Sequence, residues 1–97
     1  MGSAFDSVAD PPRRRLLDHL LSGPQTVGGL AAATGLSQPN TSRHLRILRE
    51  AGLVVSRPDG QRRLYALRPE GFVPLADWLT PYVLLLRGGG EEPERRR

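Results

Sequence analysis

A chain of 97 residues fits one domain with a thin core, and a domain that small often leans on a partner for stability. Its 14 basic residues, every one an arginine, outnumber 10 acidic ones for a net charge of +4; guanidinium groups suit phosphates and guanines, although a GC-rich genome produces the same bias. The lack of cysteine excludes disulfides, thiolate metal sites and cysteine nucleophiles, and no apolar run approaches the roughly 18 residues of a membrane span or follows a basic leader, so a cytoplasmic protein is expected.

After a short leader, Pro12 suits the first turn of a helix through Leu21, with Leu16, Leu17, Leu20 and Leu21 on one apolar face. The Arg13-Arg14-Arg15 run opposes the dipole at that helix start, which points to Asp10 or Asp18 as an acidic neighbour. Ser22-Gly23-Pro24 ends the helix. Thr26 then caps a short helix over 27–33, stopped by Gly35.

Ser37 caps the next helix, which carries Pro39 near its first turn and runs through Arg49 or Glu50 to Gly52. Thr41, Leu45 and Leu48 share its inward face, while Gln38, Asn40, Ser42, Arg43 and Arg46 line a face rich in hydrogen-bond donors. Leu53–Arg57 and Arg63–Leu67 favour strands, and Pro58-Asp59-Gly60-Gln61 between them is turn chemistry, which predicts a hairpin. The last element, from Pro69, places Phe72, Leu75, Ala76, Leu79, Val83 and Leu86 in one stripe, with Trp78, Tyr82 and Leu85 beside it.

Such a helix on so small a domain needs cover, and a second copy is the simplest source; Leu16, Leu20, Phe72, Leu75, Leu79, Tyr82, Val83 and Leu86 are the expected dimer contacts. Pro81 predicts a kink near Asp77–Pro81. The domain is expected over residues 1–87, and residues 88–97, glycines followed by charge, are expected to be a disordered tail.

The order of elements is that of a winged helix-turn-helix, mainly α with a small β-hairpin: about five helices and a two-stranded wing. The second helix of the pair would enter the major groove of double-stranded DNA. Arg43 and Gln38 are the candidates for guanine and adenine edges, Ser37, Thr41, Ser42 and Arg46 for phosphates, and Pro39 and Asn40 lie on the same stretch. Thr26 begins a helix whose N–H groups suit a phosphate, and Arg57, Arg62 and Arg63 alternate with apolar residues in the wing, where some point outward.

The run Gly35-Leu36-Ser37-Gln38-Pro39-Asn40-Thr41-Ser42-Arg43-His44-Leu45-Arg46-Ile47-Leu48-Arg49-Glu50-Ala51-Gly52-Leu53-Val54 resembles the recognition segment of the arsenic-repressor (ArsR) family of bacterial regulators. Ala9-Asp10-Pro11-Pro12-Arg13-Arg14-Arg15-Leu16-Leu17, Gly60-Gln61-Arg62-Arg63-Leu64-Tyr65-Ala66-Leu67 and Asp77-Trp78-Leu79 are similar to the same family. The resemblance implies a homodimer built through the first and last helices, two recognition helices about one DNA turn apart, and repression by occluding a promoter. Many members release DNA on binding metal, but the family's cysteine pair is absent here and Asp77 lacks the companion histidines, so no metal site is expected.

His19 and His44 have no partner at ligand spacing and read as packed or hydrogen-bonded side chains. No nucleophile, carboxylate pair or phosphate loop supports an enzyme, and no cofactor is expected. Trp78 and Tyr82 are the candidates for a small-molecule effector site, with dimer core as their plainer role. The competing class, a winged-helix module that binds protein through its last helix, would show an acidic or apolar recognition face, whereas Ser37–Arg49 is polar and basic.

Overall fold

The computed structural model describes residues 3–88; of the expected tail at 88–97, only Gly88 falls within them, at the end of the last helix, and 89–97 lie outside. The first helix, α1 (Ala4–Val8), falls where the sequence predicts only a leader. Ser3 caps it by accepting the Asp6 N–H at 3.1 Å, and Ala4 and Ser7 are buried. Five residues cannot hold a helix by propensity, so its support is tertiary. Arg13 Nε donates to the Ser7 carbonyl at 2.9 Å and Arg14 Nη1 to the Val8 carbonyl at 2.7 Å. These satisfy carbonyls that a helix end leaves free. Two members of the arginine run thus hold α1 down, and Asp10, one of the expected acidic neighbours, lies 3.9 Å from Arg13 Nη1.

Asp10 also caps α2 (Pro11–Leu20), where Pro11 and Pro12 occupy the first positions, whose N–H groups have no helical partner. Thr26 caps α3 (Val27–Thr34) and Ser37 caps α4 (Gln38–Glu50), each through a side-chain oxygen accepting a backbone N–H three residues on. Gly35 closes α3 in the left-handed region at φ 80°. Leu16, Leu17, Leu20, Leu30, Leu45 and Leu48 from these helices form one core with Leu53 and Val54, which follow α4.

Three expectations change here. Leu16 and Leu20, predicted at the dimer surface, are 0 % and 2 % exposed, so the protomer's own core already takes them. Periodicity identifies an apolar face without saying what covers it. Thr41, predicted to meet phosphate, is fully buried, and its hydroxyl donates to the Ser37 carbonyl at 2.8 Å. Leu21, placed by its spacing on the apolar face of α2, caps that helix and is exposed.

The hairpin pairs β1 (Val54–Asp59) with β2 (Arg62–Leu67) antiparallel, from Val54↔Leu67 to Asp59↔Arg62. It runs further toward its tip than the sequence suggests, because Pro58 and Asp59 join the ladder; in a two-stranded ribbon both strands are edges and tolerate proline. Gly60, at φ +64°, makes the turn. At the other end, Gln25 and Tyr65 exchange backbone hydrogen bonds of 3.0 and 2.8 Å, tying β2 to the segment before α3.

A 3-10 turn, Pro69–Phe72, leads into α5 (Val73–Arg87). Pro81 lies inside α5 without ending it. Phe72 and Leu75 are half-buried against the core, but α5 itself has no buried residue. Trp78, Leu79, Tyr82, Leu84, Leu85 and Leu86 are all exposed, Leu86 at 85 %, and Val83 is half-buried. Trp78 meets Phe5 of α1 edge to face with ring centres 6.1 Å apart, and the Tyr82 ring centre lies 5.2 Å from that of Trp78.

Candidate nucleic-acid interface

Because Thr41, His44, Leu45 and Leu48 point into the core and Ile47 is half-buried beside them, the other positions of α4 face water. Gln38, Pro39, Asn40, Ser42, Arg43, Arg46 and Arg49 are all exposed, and Glu50 is the helix's one acid. Two shallow clefts flank this face. One joins the start of α3 to the wing through Thr26, Val27, Gly28, Gln38, Arg62, Arg63 and Tyr65. The other joins α4 to the wing through Pro39, Ser42, Arg43, Arg46, Arg49 and Tyr65.

The structure thus brings together most of the residues chosen from sequence, across three elements. Ser37, Asn40 and Arg57 are exposed but line neither cleft, and Thr41 is withdrawn into the core. Arg63 reaches across the hairpin to Ser56 Oγ at 3.2 Å, and Arg62 sits 3.4 Å from Asp59, an exposed pair that contributes little. Arg49 and Tyr65 were missed. Arg49 continues the three-residue row of Arg43 and Arg46, and Tyr65 shares a strand face with Arg63, so both periods held the signal.

His44, on the inner side of α4, is 6 % exposed. Its Nδ1 lies 3.4 Å from Arg13 Nη1 and 3.9 Å from Asp10 Oδ2. A guanidinium only donates, so Nδ1 accepts and the ring is neutral. Burial first, then Arg43 and Arg13, hold its pKa below the ordinary histidine value, against the pull of Asp10. Between the ordinary value and the depressed one, the unfolded chain binds a proton that the folded chain refuses. Stability from this group is therefore complete above about pH 6.5 and declines as the pH falls below it. Urea midpoints are expected to drop between about pH 7.5 and about pH 5.5, and to drop less in His44→Gln; equal pH dependence in both proteins would contradict this.

The profile described as "Bacterial regulatory protein, arsR family" matches residues 10–56, from the cap of α2 into β1. The HTH-type transcriptional regulator Rv2034 of Mycobacterium tuberculosis is 38% identical over 92% of this chain and 91% of its own length. The chain belongs to the arsR family. Transcriptional repressor SdpR of Bacillus subtilis is 31% identical over 86% of this chain and 92% of its own. A solved structure titled as a possible transcriptional regulator for arsenical resistance superposes with a TM-score of 0.77 at 43% identity, covering 84% of this chain and 85% of its own. A second, titled the homodimeric winged helix-turn-helix DNA-binding domain of a possible ArsR-family regulator from Mycobacterium bovis, gives 0.66 at 29%, covering 81% and 73%.

This arsR-family member is a DNA-binding transcriptional regulator with a winged helix-turn-helix fold, not an enzyme. Cysteine is absent, and among the described residues no three His, Asp or Glu side chains converge. Nor is any described helix long and apolar enough to cross a membrane.

Proposed function

We propose that the protein is a homodimeric repressor that reads a two-fold symmetric operator through residues 37–50 and grips the flanks with the wing, residues 53–67. One observation carries this reading: the protomer leaves two unlike surfaces uncovered, a polar, basic α4 face and an apolar α5. A row of exposed Trp78, Leu79, Tyr82, Leu85 and Leu86 is a partner surface, and a two-fold copy is the simplest partner. A two-fold axis there would set the α4 helices on half-sites about 34 Å apart. The homodimeric Mycobacterium bovis neighbour and the repressor SdpR support this assignment.

In this reading Arg43 and Gln38 meet base edges, while Ser42, Arg46 and the free proton of Ser37 meet phosphates. The Ser37 oxygen is engaged as a cap, but its hydroxyl still donates. Thr26 and the first N–H groups of α3 take a phosphate beside Arg62 and Arg63, and Arg57 lies further along the wing. The site of action is the cytoplasm, with the bacterial chromosome.

The test is anisotropy titration of the protein on its own upstream region and on a random duplex, at stated salt, with sedimentation of the free protein. Preference for the upstream region with two protomers per site is expected; equal binding to both duplexes, or a monomer under all conditions, would overturn the reading. The double variant Arg62→Ala/Arg63→Ala should weaken binding to both duplexes and flatten the slope of log K against log salt by about 2, leaving the preference between them unchanged.

A further inference from the structure

A groove of about 300 Å³ lies where α1, α2, the end of β2 and the start of α5 meet. It shares no residue with the α4 face, the wing clefts or the outer row of α5, although its Phe72 and Leu75 are among the dimer contacts expected from the sequence. Its walls are apolar, chiefly Leu17 of α2 and Leu21 at the end of that helix, with Phe72 and Leu75. At its rim stand Arg14 and Asp18, one helical turn apart.

That spacing ordinarily favours an ion pair. None within 4.0 Å joins them among the described residues. Instead Arg14 gives Nη1 to the Val8 carbonyl, which holds the guanidinium at the rim while its other N–H groups have no partner among the described residues. The Asp18 carboxylate accepts no hydrogen bond among them either. The groove therefore presents an apolar slot beside one free donor group and one free acceptor group.

We infer that this groove binds a hydrophobic amino acid as its zwitterion, with the carboxylate on Arg14, the ammonium on Asp18 and the side chain between Leu17, Leu21, Phe72 and Leu75. The two charges select against simpler ligands. A fatty acid meets repulsion from Asp18, an apolar amine meets repulsion from Arg14, and a neutral hydrocarbon leaves both rim groups unused. Size points the same way, because about 300 Å³ is at the small end of ligand pockets and suits an amino acid better than a larger compound. Trp78 and Tyr82, the candidates from sequence for an effector site, lie against each other on α5, their rings tilted by 44°, and do not line it.

The test uses the full chain without DNA, so its outcome is separate from that of the operator reading. L-tryptophan, tryptamine and indole-3-propionate are titrated while the methyl resonances of Leu17, Leu21, Leu67 and Leu75 are followed by NMR. L-tryptophan should give saturable shifts there, and each analogue, lacking one charge, should bind about 10-fold more weakly. Arg14→Gln should abolish the advantage over tryptamine and Asp18→Asn that over indole-3-propionate. Both positions are exposed, and circular dichroism checks the fold. The inference is overturned if the methyls do not saturate with L-tryptophan, if the three probes bind equally, or if the shifts centre on Trp78. It is equally overturned if the groove methyls respond only to protein concentration, which would give the groove to a second copy.

Discussion

Gly71→Ala should lower stability by about 3 kcal/mol, near the upper end for an overpacked site. A Cβ at Gly71 would run into the carbonyl carbon and oxygen of Gly52, which are backbone atoms and cannot swing aside. Gly52 is itself fixed in the left-handed region at φ 80° just past α4, and its carbonyl accepts Arg68 Nη1 at 3.2 Å. Arg68 N–H donates to the Leu53 carbonyl at 2.9 Å and Gly71 N–H to the Arg68 carbonyl at 3.0 Å, so the corner is held from both sides. Urea denaturation should show a lower midpoint with an unchanged slope. Gly60→Asn is the contrast: nothing lies within 4 Å of a Cβ there, and asparagine tolerates that backbone, so little change is expected. A Gly71→Ala protein as stable as the parent would refute the close approach.

Arg43→Met should cost about 1–3 kcal/mol of operator binding, or roughly 5-fold to 150-fold, and relax the preference at one base pair in each half-site. The side chain is exposed and has no hydrogen bond or ion pair among the described residues, so its loss should move the urea midpoint hardly at all. Non-specific affinity should fall much less than operator affinity. A variant that keeps the full operator preference removes Arg43 from the base-reading set. The same substitution has an internal readout: Arg43 helps depress the His44 pKa, which should rise toward the ordinary histidine value when the charge is gone and be visible in an NMR titration.

Local chemistry made most of this fold legible. Asp10, Thr26 and Ser37 sit at helix starts and Gly35 and Gly52 at helix ends, each acting within about four residues of itself, and Asp59-Gly60 marks the hairpin in the same way. What was not legible depends on distant partners. The helix α1 needs donors from Arg13 and Arg14, which a reading of its own five residues cannot supply. The Gln25–Tyr65 pairing rests on one residue from each side, with no periodicity to detect.

The site divides the same way. The exposed face of α4 follows from its 3.6-residue period, but Thr41 shows the limit, since only the Ser37 carbonyl reveals why a hydroxyl can sit inward at no cost in unpaired groups. Leu16 and Leu20 were assigned to the wrong neighbour because apolar spacing is the same against one's own core or a partner's.

The Gln25–Tyr65 pairing gives the wing a fixed fulcrum. Val54 and Leu67 pair beside the core while Asp59 and Arg62 close the far end in water, so the hairpin is a cantilever clamped at its root. Residue pairs added or removed at the free end change its reach without load passing back to α4. Evolution can lengthen, shorten or recharge that arm as a separate part, altering how far the protein extends along a duplex while the helix in front of it keeps its aim.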